Sequence, residues 1–344
     1  MRVVHWNISK ENAPISGIKK YEDKLFENLN NIIKKENIDI SLDRIMRANS
    51  KIVGSTIVSW ILKYSSRYDI VHGTCNPVAP AILFKKVKKF CVTIHDLGCV
   101  IYPNKINDFT EKIQWLLLPK ALRKADIIIA ISKFTKSELI NIYNIDDNKI
   151  KVIYLGVNTE LYKPLDRSKC RQYFGLKEDK KYILYVASNL YHKRLDIAKA
   201  VFEQVKKCRD DVMLIKAGYS KKLSGKGIVN MGWIKEKDMP KLYSAADVYL
   251  HTSEYEGFGL PVLEAMACGL PIVASNKAAI PEVVGSAGYL VNLDDNCVDE
   301  FTEKVLKCLD REKLNKKGVE RAREFSWERT AKETLKVYNE LSPN

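Results

Sequence analysis

Short runs of apolar residues alternate with segments of helical periodicity along this chain, and this alternation restricts its fold more than any other feature. The runs cover residues 3–6, 69–72, 90–94, 127–131 and 152–155, and then 182–187, 212–217, 248–251, 271–274 and 289–291. Runs that are apolar throughout are typical of strands buried on both faces. Strands separated by helices, such as the helix predicted over residues 18–33, form parallel, doubly wound sheets. The sequence therefore predicts an α/β fold.

The alternation occurs twice, and residues 161–169 (LYKPLDRSK) interrupt it with a proline and loose polar residues. A chain of 344 residues is also too long for one comfortable core. We predict an N-terminal domain over residues 1–161, a C-terminal domain over 162–325 and a terminal helix within 326–344. Two doubly wound domains create a cleft that faces the carboxyl ends of both sheets, where ligands of such folds bind.

The charge balance is strongly basic, with 57 Lys and Arg against 42 Asp and Glu and a formal net charge of +15. A solvated surface explains it, and so does a face resting on anionic lipid headgroups, near which each clustered lysine gains about 1 kcal/mol. The densest basic run is residues 85–89. We expect no nucleic-acid partner, because zinc, basic-zipper and aromatic-basic RNA patterns are missing. Without a bilayer-length apolar stretch or a secretory signal, the expected location is cytoplasmic, either free or peripheral on the cytoplasmic face of the membrane.

The most specific segment begins at Glu256 and reads EGFGLPVLE, ending at Glu264. A strand ends before it, and Pro261 stands where a helix starts, a position that proline favours. Gly257 and Gly259 let the backbone approach a ligand, and the free amides of a helix start suit an anion. Glu264, about one turn into the helix, can accept two hydrogen bonds from a cis-diol such as a ribose. Taken alone, a loop-to-helix junction with two glutamates is common.

Residues 256–271 (EGFGLPVLEAMACGLP) resemble the Glu-x7-Glu signature of the retaining glycosyltransferases of family four. That family has the GT-B architecture, in which two Rossmann-like parallel-sheet domains face a cleft. Other similar segments are 93–97, 131–134, 153–158, 231–233, 242–247, 271–276 and 280–285, so that the resemblance covers nearly the whole chain. It implies that the final helix crosses back onto the N-terminal domain.

The resemblance implies a role for each donor-binding residue. Glu264 would bind the ribose hydroxyls of a nucleotide sugar, and Glu256 would hold a hydroxyl of the transferred sugar. Lys193 would pair with the diphosphate as the leaving group gains charge. The amides that line the sugar–diphosphate junction would be those of Phe258, Gly259 and Leu260.

Three further positions keep more than one interpretation. His95 follows a buried strand and is either a contact to the sugar, by similarity, or a satisfied core histidine. Gly17 is similar to the glycine of the family's first loop, which usually carries two glycines, or is a simple turn glycine. A second cation commonly precedes the equivalent of Lys193, but here the chain reads Ser188-Asn189-Leu190. Either Arg194 compensates, or the pocket relies on one cation.

The prediction is thus a retaining hexosyltransferase that uses a UDP- or GDP-linked sugar and a glycan or lipid-linked acceptor. We expect no metal and no cofactor, since no Asp-x-Asp element stands in the expected loop and no His/Cys cluster has metal-ligand spacing. Residues 41–68 and 98–115 would shape the acceptor pocket. A nucleotide-sugar epimerase of the same architecture and a non-catalytic basic adaptor are the alternatives.

Overall fold

The computed structural model describes residues 1–10, 16–47, 67–102, 109–188, 190–218, 222–310 and 314–342. The chain divides into two compact units, Met1–Gly156 with Trp327–Asn344, and Val157–Ser326. The sequence-based boundary after residue 161 lies inside the second unit. The reason is local, because the Val157 N–H donates to the Phe325 carbonyl (3.0 Å) and the Tyr162 ring packs 6.3 Å from that of Tyr243.

Each unit contains, within the described residues, one parallel sheet of six strands, which confirms the predicted α/β fold. The first sheet consists of β1 (Arg2–Trp6), β2 (Ser41–Ile45), β3 (Ile70–Gly73), β4 (Lys89–Ile94), β5 (Ile127–Ala130) and β6 (Ile150–Val152). The second consists of β7 (Lys181–Val186), β8 (Val212–Ala217), β9 (Ile228–Gly232), β10 (Val248–His251), β11 (Ile272–Ser275) and β12 (Tyr289–Val291). The edge strands β2 and β9 were not among the predicted apolar runs.

Helices connect the strands in both units. They are α1 (Gly17–Lys35), α2 (Gly98–Ile101), α3 (Phe109–Lys124), α4 (Lys133–Tyr143), α5 (Arg167–Phe174), α6 (Leu195–Cys208), α7 (Met239–Ala245), α8 (Leu260–Ala267), α9 (Ile280–Val284), α10 (Cys297–Leu309), α11 (Lys316–Arg323) and α12 (Trp327–Leu341). Short 3₁₀ helices cover Asn76–Leu83, Asp147–Lys149, Tyr191–Lys193 and Glu236–Asp238. The helix predicted over 18–33 is α1, and the one predicted within 326–344 is α12.

Strand order fixes where each sheet can bind a ligand. The first sheet runs β2-β1-β3-β4-β5-β6, and the second runs β9-β8-β7-β10-β11-β12, which is the order 3-2-1-4-5-6 counted from β7. In doubly wound sheets, ligands bind at the carboxyl ends of the strands where the order reverses. The reversal lies between β1 and β3 in the first unit and between β7 and β10 in the second.

A buried chain of hydrogen bonds joins α12 to the first sheet. The Tyr338 hydroxyl lies 2.7 Å from His5 Nε2 and 2.7 Å from His72 Nδ1. His72 Nε2 then contacts the Thr93 hydroxyl (2.9 Å), which contacts the Tyr21 hydroxyl of α1 (2.7 Å). Because both histidine rings are fully buried, His5 Nε2 and the two nitrogens of His72 need these partners. The chain therefore ties the last helix to β1, β3, β4 and α1.

The first unit is expected to lose stability as the pH falls below about 6.5, the ordinary pKa of histidine. Burial, and secondarily the charge of Arg44, lower the pKa of His5 to about 3. The folded state therefore binds a proton less readily than the unfolded state, so stability is complete above pH 6.5 and decreases toward the folded pKa. A His5→Gln variant should reduce the slope of unfolding free energy against pH by about 1.4 kcal/mol per pH unit between pH 6 and 5. Chemical denaturation at several pH values measures the slope, and an unchanged slope would contradict a neutral His5.

Candidate active site

The loops after β7 and β10 form the reversal point of the second sheet. Residues 187–194 follow β7 and residues 252–259 follow β10. The Glu254 N–H donates to the His192 carbonyl (2.7 Å), and the Thr252 hydroxyl donates to the Arg194 carbonyl (2.9 Å). The Tyr185 hydroxyl, at the end of β7, donates to the Lys193 carbonyl (2.7 Å). These bonds hold the two loops together at the place where a ligand is expected.

Lys193 and Glu256 form a close ion pair across the two loops. Lys193 Nζ lies 2.6 Å from Glu256 Oε1, and the two side chains are only 16% and 15% exposed. Burial alone would raise the pKa of Glu256, but Lys193 and His251, together with a hydrogen bond from Ser253, hold it below its ordinary value. The carboxyl group is therefore ionised at neutral pH. An ammonium group has three N–H donors, so Lys193 can bind Glu256 and an anion at the same time.

His251 is a site residue that sequence reasoning missed. It ends β10, is 3% exposed, and places Nε2 3.4 Å from Glu256 Oε1. No described residue forms a hydrogen bond with this nitrogen. Burial lowers the pKa of His251 to about 4, although Glu256 opposes that shift, so the ring is neutral near pH 7. The sequence signal that could have found it is a histidine at the end of a buried strand. That signal was applied to His95 but not to His251.

The start of α8 presents backbone amides beside this ion pair. Among the described residues, the N–H groups of Gly257, Gly259 and Leu260 find no hydrogen-bond acceptor. Gly257 and Gly259 are buried, and buried amides without partners are rare in folded proteins. Gly259 has φ +100°, and a Cβ on it would lie 2.7 Å from Ile280 Cδ1, which explains the glycine. An anion is the partner that a helix start of this kind accepts.

Glu264 and Phe258 flank these amides. Glu264 lies on α8, is 6% exposed, and accepts a hydrogen bond from the Tyr243 hydroxyl through Oε2 (2.9 Å). Since a carboxylate has about four acceptor sites, this bond orients the group without exhausting it. The Phe258 ring is buried and packs edge-on against Phe325, 5.8 Å away. Packing on Phe258 therefore fixes the backbone just before the helix.

Arg194 has a local partner in the structure. Its guanidinium binds both carboxylate oxygens of Asp196, at 3.0 to 3.2 Å, and lies 3.9 Å from Glu254. The residue has φ +49° and caps the start of α6. A role of Arg194 as a second cation would therefore involve a guanidinium group that is already paired with a carboxylate. Ser188 and Leu190 bracket residue 189, which lies outside the described residues.

Gly17 and His95 belong to the first unit. Gly17 opens α1, whose N-cap Ser16 accepts the Lys19 N–H through Oγ (3.2 Å). Residues 11–15, which precede Ser16, lie outside the described part of the chain. Glu22, one turn further, was not selected from the sequence, yet it accepts the Ile8 and Ser9 amides (2.7 and 3.2 Å) and the Thr74 hydroxyl (2.8 Å). It thereby binds together the loops after β1 and β3, at the reversal point of the first sheet.

His95 follows β4 and is 7% exposed. Its Nε2 lies 3.0 Å from the Thr74 carbonyl, so this nitrogen carries the proton, and its backbone N–H donates to Asn76 Oδ1 (2.9 Å). The Tyr21 ring packs edge-on at 4.8 Å. Burial lowers the pKa of His95, although the bond to Thr74 opposes that shift. The residue is thus a neutral, well-anchored histidine whose Nδ1 keeps its lone pair.

The predicted acceptor segments are only partly described. Residues 48–66 and 103–108 lie outside the described ranges, as do the side chains of 109–111. Within the described ranges, no group of three or more His, Cys, Asp or Glu side chains is arranged to hold a metal ion. No helix of the described chain is long and apolar enough to cross a bilayer. All eight cysteines are free thiols.

Substituting Gly218 by alanine is expected to destabilise the second unit by about 2 to 3 kcal/mol. Gly218 has φ +109°, and a Cβ would lie 2.6 Å from the Ala187 carbonyl oxygen, at the start of the loop that carries Lys193. Left-handed strain adds about 1 to 2 kcal/mol and overpacking at least about 1 more. Gly232→Ala is the control, because Gly232 also has positive φ (+63°) but no atom within 4 Å. Equal unfolding free energies for the two variants, measured by urea titration, would contradict the close approach.

The chain matches two family models. Residues 166–325 match the model described as glycosyl transferases group 1, and residues 44–161 match that described as glycosyltransferase family 4. The O-antigen chain mannosyltransferase B of Escherichia coli is 30% identical over 307 residues, which span 82% of this chain and 77% of that protein. The matches therefore extend over both units.

Solved structures of the same fold cover almost the whole chain. Sucrose-phosphate synthase from Thermosynechococcus elongatus has a TM-score of 0.78 at 21% identity, with 99% of this chain and 98% of that chain covered. Anabaena Alr3699/HepE, in complex with UDP and glucose, has a TM-score of 0.75 at 17% identity and covers 99% and 100%. At these identities the likeness shows the fold, which is the predicted GT-B architecture.

Proposed function

The chain belongs to the family 4, group 1 glycosyltransferases, and from this premise we propose that it transfers a hexose-type sugar from a UDP- or GDP-linked donor to a glycan or lipid-linked acceptor. The observation that carries the proposal is the Lys193–Glu256 pair beside the amides of Gly257, Gly259 and Leu260. A cation and convergent N–H groups at one sheet edge suit a diphosphate. The family match does not favour an epimerase or a non-catalytic adaptor.

We assign the donor-binding groups by the position of each side chain. The diphosphate binds the amides that start α8 and one or two N–H groups of Lys193 Nζ. The ribose hydroxyls donate to Glu264, which the Tyr243 hydroxyl orients. Glu256 accepts a hydroxyl of the transferred sugar while Lys193 keeps it ionised. Arg194 supports the loop through its ion pair with Asp196, and direct binding of the donor by Arg194 stays a prediction.

The proposed reaction retains the configuration of the sugar and needs no metal. The bond from the anomeric carbon to the diphosphate oxygen breaks, and its electron pair leaves with the diphosphate. The acceptor oxygen bonds to the same carbon from the face that the leaving group departs, and its proton passes to the leaving phosphate oxygen. Lys193 and the amides of α8 stabilise the charge that develops there. The sugar contact of His95 and the first-loop role of Gly17 stay predictions of the family resemblance.

A ligand screen followed by product analysis tests the function. Binding to the folded state raises the melting temperature, so UDP or GDP should do so, whereas ADP serves as a comparison. The donor should then be consumed only when an acceptor is present, with release of the free nucleoside diphosphate. Donor conversion without acceptor would indicate an epimerase instead. No thermal shift with any nucleoside diphosphate or its sugars would contradict the proposal.

We also propose that the first unit contacts an anionic membrane peripherally, through the exposed face of α3. Lys112, Leu116 and Lys120 lie four residues apart on that face, and Leu116 is 76% exposed. Phe84, 56% exposed, precedes the basic run 85–89 of the same unit. Lysines around exposed apolar side chains suit anionic headgroups above an acyl layer.

Vesicle sedimentation tests this surface. The chain should bind phosphatidylglycerol vesicles but not phosphatidylcholine vesicles, and about 0.5 M salt should release it because exposed charges are then screened. Leu116→Asp should reduce binding several-fold, whereas Ile142→Asp, on the exposed side of α4, should not. Equal binding to both lipids, or equal binding by both variants, would contradict the proposed contact.

A further inference from the structure

Lys216 is a buried lysine that the scheme above does not use. It is the penultimate residue of β8, is 2% exposed, and has no carboxylate within ion-pair distance in the described chain. The described polar partner of its Nζ is the Ala187 carbonyl, at 3.3 Å. An ammonium group carries three N–H donors and one full charge, so a single carbonyl leaves most of its binding capacity unmet.

The position of Lys216 brings its charge to the loop that carries Lys193. Lys216 and Tyr185 are register partners on neighbouring parallel strands, so their side chains lie on the same face of the sheet. The Tyr185 hydroxyl reaches the Lys193 carbonyl, and Lys216 Nζ reaches the Ala187 carbonyl. The loop between residues 187 and 193 therefore begins above the Lys216 ammonium and ends above Tyr185.

Burying an ammonium group without a counter-charge is unfavourable, and the folded chain relieves that cost either by losing the proton or by gaining an anion. Burial lowers the pKa of Lys216, which is the first response. The second response, the gain of an anion, requires a ligand that brings negative charge to the loop after residue 187. Arg171, the other buried cation among the described residues of this unit, has a protein partner in Asp247 at 2.7 Å.

We infer that Lys216 is a second cation for the diphosphate of the donor, supplied by β8 rather than by the loop that contains Lys193. The inference rests on the proposed function, because the anion is the donor's own leaving group. In this arrangement Lys193 binds the diphosphate from the loop and Lys216 binds it from the sheet below. Arg194, which is paired with Asp196, is then not needed for that role.

The test compares binding of UDP and GDP to the wild type and to a Lys216→Met variant by isothermal titration calorimetry. Methionine keeps the length of the side chain and removes the charge. The expected result is at least a tenfold weaker affinity for whichever nucleoside diphosphate the wild type binds, together with a smaller dependence of that affinity on salt. The matched control is Lys206→Met, since Lys206 Nζ also donates to a carbonyl of β8, that of Val212 (3.2 Å), at the opposite end of the strand.

A Lys216→Gln variant separates the charge from the structural hydrogen bond, because its amide N–H can still donate to Ala187. It should fold like the wild type and lose diphosphate affinity as the methionine variant does. Wild-type affinity in Lys216→Gln, or in Lys216→Met, would overturn the inference and leave Lys216 with a structural role. If the wild type itself binds neither UDP nor GDP, the proposed function fails, and the role of Lys216 in it fails too. The two failures are thus distinguishable by the wild-type titration alone.

Discussion

Replacing Lys193 by methionine is expected to lower kcat about 10²- to 10³-fold, while the chain still folds. In the proposed reaction, the ammonium group stabilises the diphosphate as it takes up the electron pair of the broken bond. Removing one preorganised donor from such a position costs about 2.7 to 4 kcal/mol in the transition state. The substitution also takes away the counter-ion of Glu256, 2.6 Å distant, so sugar orientation should suffer as well.

Steady-state kinetics with saturating donor and acceptor measures this effect, because kcat then excludes weaker donor binding. Lys241→Met is the matched control. Lys241 forms another lysine–carboxylate pair of the second unit, with Asp238 at 2.8 Å, away from the two loops. Because Lys241 has no role in the proposed reaction, Lys241→Met should keep kcat within about twofold of wild type. A Lys193→Met enzyme with kcat within threefold of wild type would remove Lys193 from the reaction.

The second large effect concerns donor binding. Glu264→Ala should weaken the affinity for the donor about 10²- to 10⁴-fold, because two hydrogen bonds from the ribose to a carboxylate are lost, each worth about 1.5 to 3 kcal/mol. Tyr243→Phe keeps the carboxylate but removes the 2.9 Å bond that orients it, so a smaller loss of roughly tenfold is expected.

Equilibrium titration with the free nucleoside diphosphate measures both losses without turnover. Glu203→Ala is the control, since Glu203 lies on the exposed side of α6 and pairs only weakly with Lys199, at 3.6 Å. The ribose assignment also predicts that the 2′,3′-dideoxy nucleotide binds wild type and Glu264→Ala equally. Full affinity in Glu264→Ala would refute the assignment and leave the Tyr243–Glu264 bond as a structural contact.

The sequence predicted the buried parts of the fold better than the exposed ones. Interior strands such as β4 and β8 are mostly apolar because helices cover both faces, and their runs were found directly. The edge strands β2 (SLDRI) and β9 (IVNMG) are only partly buried and carry polar residues, so neither forms an apolar run, and both were missed. The apolar run predicted for β6 covers residues 152–155 and ends three residues after the strand itself, Ile150–Val152. The strand begins directly after the polar 3₁₀ helix at 147–149.

The candidate site shows the same division between local and tertiary information. The junction from Glu256 to Glu264 was found because glycine, proline and glutamate at fixed spacing report local backbone chemistry. His251 and Lys216 were not, because their significance comes from what lies across the sheet. Lys216 stands inside the run VMLIKA and reads as one polar residue in a strand. Only the fold shows that it is buried below another loop with no carboxylate partner.

The most direct measurement of the central claim is a crystal structure of the chain with the nucleoside diphosphate that gives the largest thermal shift. We predict diphosphate oxygens within hydrogen-bond distance of Lys193 Nζ and of the Gly259 and Leu260 amides, with both ribose hydroxyls on Glu264. A nucleotide bound at any other place, with Lys193 still paired only to Glu256 and the start of α8 unoccupied, would contradict it.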